Sequence, residues 1–518
     1  MGFVIDYCLI EELPMLAWLA RLDPNTGRIF IVHGPAVECR DEWMVEGVWD
    51  NNFEQGNFHR SEHFFGSGLK VEGESVYFVT SSAATDRLIY SEFRGKLLVS
   101  NSLIMLLAAS GATLDENHDY HREIFSIKEG IDSYKKEFTI KHPEIRCFYQ
   151  VIYETMVYSG GRISFEKRAA PRPIDSFGHY LSLLKDILGR IKDNYESNKR
   201  RIPLTAFTTI SRGYDATAVS CLVKDLGVMT CFTGNRLELP LHLRFYRRIK
   251  DDGTLIARRL GLDIQYLDSR RSSISEDELY FLASDHPKFS TKAWSEIGLH
   301  SMATYIERNS SPAVVFTGNY GDLIWDANIN EKYITDQIKN TTGPDMGLST
   351  IRLKSGFIQV AVPYILGRNF KDIAAISRSP ELEPWRVNNP YDRPIPRRIA
   401  EACGVERQFF GRRKAFLMDT YMWPVNSRLR KEFFKYLKER QEISPSQVYI
   451  YYNLEQLAKI LQVLLKKQKA FNLKKLQRII FSREVDLYYL MSHWAKQILS
   501  IKIASILSKT DARLMNRN

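Results

Sequence analysis

The chain has 518 residues, of which 44% are hydrophobic, 26% charged and 12% aromatic, a make-up that fits globular domains and excludes fibrous and disordered classes. At about 100 to 200 residues per domain, this length calls for more than one. The formal net charge of +11 is unevenly placed, because residues 431–518 hold 17 Lys and Arg against 7 Asp and Glu.

The first stretch, 1–22, is apolar in tone but carries Asp6, Glu11 and Glu12 where a secretory leader needs basic residues, so it is expected to belong to the fold. Asp6 also stands where a myristoylation signal wants Ser or Thr. No run of about 18 apolar residues occurs, and no transmembrane segment is predicted. The six cysteines, Cys8, Cys39, Cys147, Cys221, Cys231 and Cys403, form no CxxC pair, which points to a reducing, cytoplasmic setting. His59, Glu62 and His63 have the HxxEH spacing of a zinc protease, but Phe64-Phe-Gly-Ser-Gly follows at once and denies that motif its helix.

Residues 29–110 read as β-rich, with strands predicted over 29–32, 75–79, 88–90 and 96–100, then a helix over 102–109. Residues 111–174 are mixed and end in Arg168-Ala-Ala-Pro-Arg-Pro, an extended linker. Leu181, Leu184, Ile187 and Ile191 carry helical spacing over 177–195. Beyond this the pattern alternates. Strands are predicted over 205–210, 228–232, 263–267 and 313–317, helices over 216–226 and 254–260, and a helical stretch over 275–312. Helices with loops continue to about 440, and 454–465 and 492–507 read as amphipathic helices. Such alternation is the signature of an α/β domain with a doubly wound parallel sheet. The chain divides into 1–170, 175–430 and a basic helical extension, 431–518.

The turn after the first strand of the alternating region reads Ser211-Arg-Gly-Tyr-Asp-Ala-Thr217. A turn that enters a helix at this place in an α/β sheet collects anions, because its amides point outward and the helix dipole adds roughly half a positive charge. Ser211 and Thr217 offer hydroxyls to phosphate, and Gly213 lets the backbone approach. Asp215 would repel phosphate, so its sensible role is to hold Mg2+. An ordinary helix cap is the plainer reading of the same aspartate.

The segment resembles the pyrophosphate-binding loop of asparagine synthetases and their relatives, Ser-Gly-Gly-x-Asp-Ser-Ser. Ser211, Gly213 and Asp215 match it and Thr217 keeps the last hydroxyl, while Arg212 and Ala216 depart from it. Arg212 either displaces the loop or grips phosphate itself. A second stretch, Val314-Val-Phe-Thr-Gly-Asn-Tyr-Gly-Asp322-Leu, resembles the family's Gly-x-Gly-x-Asp element and is similar to the β-lactam and carbapenam synthetases in having Leu323 after the aspartate. Gly318 and Asp322 match. A third, ending Gln359-Val-Ala-Val-Pro-Tyr364, is similar to a stretch in which asparagine synthetases carry Glu where Gln359 stands, and a neutral amide cannot be a general base. A fourth, Phe409-Phe-Gly-Arg-Arg-Lys414-Ala-Phe416, resembles their Arg-x-Lys-x-Gly-Phe element.

The resemblance implies an ATP-pyrophosphatase domain over 175–430, with ATP and Mg2+ as cofactors, Asp215 and Asp322 as metal ligands, and Lys414 stabilising charge at the α-phosphate or the acyl oxyanion. It places Phe232 and Thr233 beside adenine and Glu296 toward the acyl substrate; Tyr320 is the candidate acid or base for its closeness to Asp322, while the tyrosine of the β-lactam-forming enzymes would fall on Asn319. Parts of 60–110, including Asp86-Arg-Leu-Ile-Tyr90 and Leu98-Val-Ser-Asn-Ser-Leu103, resemble the glutaminase domain of those synthetases, which implies a degenerate Ntn-hydrolase-like α+β unit over 1–170. That domain uses a cysteine directly after the initiator Met. Gly2 holds this position here and Cys8 lies inside a strand, so the nitrogen is expected from another amine or from ammonia. The expected activity is adenylation of a carboxylic acid and capture by an amine. A homodimer and a peripheral contact of the basic C-terminus with an anionic surface are compatible with the sequence. The rival readings are a degenerate synthetase kept as a nucleotide-binding scaffold and an RNA-modifying ATP-pyrophosphatase.

Overall fold

The computed structural model of the chain describes residues 2–236, 252–268, 300–309, 312–335, 337–339, 349–411, 422–424, 427–464 and 473–515. The N-terminal part holds β1 (Val4–Leu9), β2 (Trp18–Asp23), β3 (Arg28–His33), β4 (Glu38–Cys39), β5 (Trp43–Trp49), β6 (Phe64–Glu72), β7 (Ser75–Val79), β8 (Leu88–Phe93) and β9 (Lys96–Ser100), then α1 (Leu103–Ser110) and α2 (His121–Phe125). It closes with β10 (Glu137–Thr139), β11 (Cys147–Val151), β12 (Thr155–Ser159) and β13 (Arg162–Glu166). These strands form two sheets. One runs β1-β3-β2-β9-β8-β11-β10 and is mixed, since β1 lies parallel to β3; the other runs β13-β12-β7-β6-β5-β4 and is antiparallel.

Period-two patterning explains how the sheets meet. Trp18, Ala20 and Leu22 of β2 and Ile29 and Ile31 of β3 point inward and pack on Met44, Leu69, Val76 and Phe78 of the other sheet. The segment that follows β13 is strapped down. Half-buried Arg168 donates to the carbonyls of Ser61 and Thr80, each at 2.7 Å, and Arg368 donates to the carbonyl of Arg168 at 3.0 Å.

After α3 (Phe177–Tyr195) the alternating region begins with β14 (Thr205–Thr209), α4 (Tyr214–Lys224), β15 (Thr230–Arg236), α5 (Thr254–Leu260) and β16 (Asp263–Asp268). It continues with α6 (His300–Asn309), β17 (Ala313–Thr317), α7 (Gly321–Ile324), α8 (Ser349–Ser355), β18 (Phe357–Ala361), α9 (Phe370–Ser377) and α10 (Pro394–Ala402). Every pairing in this sheet is parallel, and its order is β16-β15-β14-β17-β18. Helices lie on both faces. Tyr305 of α6 packs on Phe207 and Phe232, whereas Ser220 of α4 meets Thr208, which alternation turns to the other face. Of the helical stretch expected over 275–312, α6 is the described part.

The sheet does not stand apart from the N-terminal unit. β18 lies against β5 and β6, and Arg352 of α8 crosses the seam. Its Nη1 is 2.7 Å from Glu46 Oε2 and its Nε is 3.3 Å from Asp86 Oδ1, and Ser67 Oγ donates to Glu46 at 2.7 Å. Burial alone would strip the charge from Arg352, but Asp86 and Glu46 outweigh it and hold its pKa above the ordinary value.

The C-terminal segment contains α11 (Ser427–Gln441), α12 (Pro445–Leu464), α13 (Leu473–Phe481) and α14 (Leu487–Met515). It is helical as expected, yet it is no free appendage. Leu487, Leu490, Met491, Trp494, Leu499, Ile503 and Leu507 recur at helical spacing and are buried with Leu106 of α1 and Leu19, Ile89 and Leu98 of the first sheet. Thus α14 packs on α1, which itself lies against β2, β8 and β9 of the first sheet. No helix among the described residues is long and apolar enough to cross a membrane.

Candidate functional site

Numbered within the parallel sheet, the strand order is 3-2-1-4-5. The chain reverses direction of travel between β14 and β17, the place at which sheets of this kind form a crevice outside the carboxyl ends of their strands. The 211–217 turn follows β14 and the 318–322 turn follows β17, so the two sequence motifs face each other across that crevice. Their approach is close enough to demand glycine. A Cβ on Gly318 would lie 2.7 Å from the Ala216 amide nitrogen, and one on Gly321 would lie 2.7 Å from Asp215 Cβ.

Asp215 sits in the first turn of α4 and Asp322 in the first turn of α7. Gly213, extended at φ −76° and ψ 165°, starts α4 at Tyr214, two residues before the predicted 216. The loop is held from within. Ser211 Oγ accepts from the Gly213 amide at 3.1 Å, and the Thr217 hydroxyl donates to the carbonyls of Gly213 and Ser211 at 2.7 and 3.1 Å. In this conformation Thr217, fully buried, shapes the turn and its hydrogen is committed there. Arg212 turns toward the later chain, with Nε 3.4 Å from the Phe409 carbonyl, and its own carbonyl accepts from Gly411 at 2.8 Å. Phe409 and Gly411 of the fourth motif therefore lie on the 211–217 turn, while Lys414 and Glu296 fall outside the described residues.

Phe232 and Thr233 need a correction of place. β15 runs on to Arg236, so both are inside the strand rather than at its end. The Phe232 ring is buried against Phe207, its carbonyl accepts from Ile210 at 2.9 Å, and Thr233 Oγ1 accepts from the Gly253 amide at 2.9 Å. Tyr320 holds a left-handed backbone at φ 69° just before α7, a costly conformation for a non-glycine residue. Its ring lies 4.3 Å from that of Tyr364, whose pKa is driven well above its ordinary value by burial and then by Tyr320 and Asp322. Tyr364 is therefore a donor at neutral pH. Gln359 is buried and donates to Thr317 Oγ1 at 3.1 Å.

Four residues that motif reading passed over complete the crevice: Tyr391, Asp392, Arg393 and Arg397. Arg393, directly before α10, is ion-paired with Asp215, and Arg397 is hydrogen-bonded to the Tyr214 hydroxyl. Burial opposes the charge on Arg393, but Asp215, with Tyr391 and Asp322, holds its pKa above the ordinary value. The Tyr391 ring lies 4.8 Å from that of Tyr214. A sequence signal existed in the Pro-led helix start at Pro394 directly behind Asp392-Arg393.

The donor chemistry fits a hard divalent cation carried in with phosphate, because two carboxylates flank the crevice and Mg2+ characteristically takes one or two of these with substrate oxygens. The helix N-terminus of α4, Arg393 and Arg397 supply the positive groups that phosphate requires. No protein-family model matches the chain, and no curated protein matches it.

Proposed function

We propose that the chain is an ATP- and Mg2+-dependent amide ligase of the asparagine synthetase-like kind. A carboxylic acid attacks the α-phosphorus of ATP, pyrophosphate leaves, and an amine or ammonia then displaces AMP from the acyl-adenylate with loss of one proton. The observation that carries this reading is the close approach of the two turns that hold Asp215 and Asp322, after β14 and β17, at the switch point of the parallel sheet. Mg2+, when bound, would be held by Asp215 and Asp322 and would neutralise the phosphates. The α4 N-terminus would orient the departing pyrophosphate, Arg393 and Arg397 would offset its charge, and Lys414 is assigned to the reacting centre by the sequence resemblance alone. Gln359 and Tyr364 cannot take up a proton at neutral pH, so neither is assigned as the base for the amine, and adenylation is the step on which the proposal rests.

Incubation with MgATP and a panel of carboxylic acids tests it. Acid-dependent formation of pyrophosphate and AMP is the expected result, and ADP with phosphate overturns it. The pairing of Arg393 with Asp215 also favours a second reading, a nucleotide-binding scaffold without turnover. MgATP binding without AMP formation for any acid would select that reading.

A further inference from the structure

We propose that Arg393 competes with the divalent cation for Asp215 and thereby sets how strictly the site depends on metal. This inference rests on the nucleotide-site reading above. Arg393 is 2% exposed, and its guanidinium sits on the Asp215 carboxylate while feeling Asp322 as a further attractive charge. One side chain thus already supplies positive charge to the two carboxylates assigned to the metal.

The guanidinium is held there by a built strap. Asp392, fully buried, accepts from Arg386 Nε at 3.0 Å, from the Val387 amide at 3.0 Å and from the Asn388 amide at 3.1 Å, and its carbonyl accepts from Ala327 at 3.1 Å. On one side of Arg393, Pro394 fixes the start of α10; on the other, the Tyr391 ring lies under the guanidinium at 4.9 Å. Long exposed side chains lose pairing energy to their own mobility, but this one is positioned before any ligand arrives.

Two consequences follow from charge. A metal ion alone must displace or sit beside a fixed cation, so free divalent metal binds weakly. Pyrophosphate, an anion whose oxygens suit a forked donor, can use Arg393 directly and binds without metal. Removing the charge reverses both.

The experiment uses the full chain, with Mn2+ as the metal probe and inorganic pyrophosphate as the anion probe, each titrated alone by calorimetry. Arg393→Gln is expected to bind Mn2+ at least about tenfold more tightly and metal-free pyrophosphate at least about tenfold more weakly than the parent, the size expected for one charged contact. The double variant Asp215→Asn/Arg393→Gln, which removes both partners of the ion pair and leaves the net charge of the site unchanged, is expected to lose the Mn2+ gain; circular dichroism checks that both variants fold. Unchanged Mn2+ affinity in Arg393→Gln overturns the competition. If MgATP binds the parent and Mn2+ affinity is unchanged, the nucleotide site stands and only this inference fails. If MgATP does not bind while Arg393→Gln gains Mn2+, the competition stands and the nucleotide reading fails.

Discussion

Two arginine–carboxylate clusters in this molecule use the same chemistry to different ends. Arg352, Glu46 and Asp86 lie at the seam between the N-terminal sheets and the parallel sheet, with the arginine and Glu46 side chains 2% and 0% exposed. Every strong donor there has an acceptor, with Ser67 and Ser349 adding hydroxyls to the two carboxylates. Arg393 and Asp215 lie at strand ends beside an exposed Asp322, with Asp215 19% exposed. The first cluster is closed and joins two bodies of the fold; the second faces a crevice and can exchange partners. Burial and completeness of the hydrogen bonding, rather than residue type, separate a structural ion pair from a site.

The sharpest way to break this comparison is to remove Arg352. Arg352→Ala leaves Glu46 and Asp86 buried without their cation, and the expected cost is about 3–5 kcal/mol of unfolding free energy, read from urea denaturation. A cost below about 1 kcal/mol would place the seam with ordinary surface pairs. Asp322→Asn is the counterpart at the crevice. It is expected to change stability by less than about 1 kcal/mol and to lower acid-dependent AMP formation by about 10² or more, measured at saturating MgATP. A comparable loss of fold would show that Asp322 is structural.

A third test reads the docking of α14. Burial, reinforced by Lys496 and His118, pushes the His493 pKa down to about 3, with Asp115 acting weakly the other way. The folded chain therefore keeps this imidazole neutral while the unfolded chain protonates it below about pH 6.5. Its contribution is level above that pH and stability falls as pH drops from about 6.5 toward 3, by ~2 kcal/mol at pH 5 for this one group. His493→Gln is expected to flatten that part of the stability curve, followed by chemical denaturation at pH 7 and pH 5. The smallest effect is at Thr217. Thr217→Val removes the two hydrogen bonds that shape the 211–217 turn, at an expected ~1 kcal/mol of stability, and on the proposed function it is expected to weaken ATP binding severalfold by calorimetry.

Much of the crevice could be read along the chain and some of it could not. Ser211, Gly213 and Asp215 announced a strand-to-helix turn because a glycine and small polar residues sit between an apolar run and a helical one. β15 runs past its predicted end because Thr233 and Gly234, which look like turn residues, pair with Tyr266 and Leu267 of β16, and the pairing resumes at Arg236. The short strands β10 to β13 gave little signal, since three to five residues cannot display a clear period. For Tyr391 and Arg393 the sequence marks only the helix start at Pro394, and nothing along the chain makes them neighbours of Asp215, 178 positions away from Arg393.

The sequence by itself determined the local elements: β17 as an unbroken apolar strand, α3 as an amphipathic helix from Phe177 to Tyr195, and α5 from Thr254 to Leu260. It also determined that the last segment is basic. Only the tertiary structure decided that β14 and β17 are neighbours, which brings the turn that carries Asp322 against Asp215, that Arg393 reaches Asp215, and that α14 packs on α1. The reason is physical. Backbone preference and side-chain period act over a few residues and fix one element at a time, whereas strand order and helix docking follow from burying apolar faces and pairing charges between segments hundreds of positions apart.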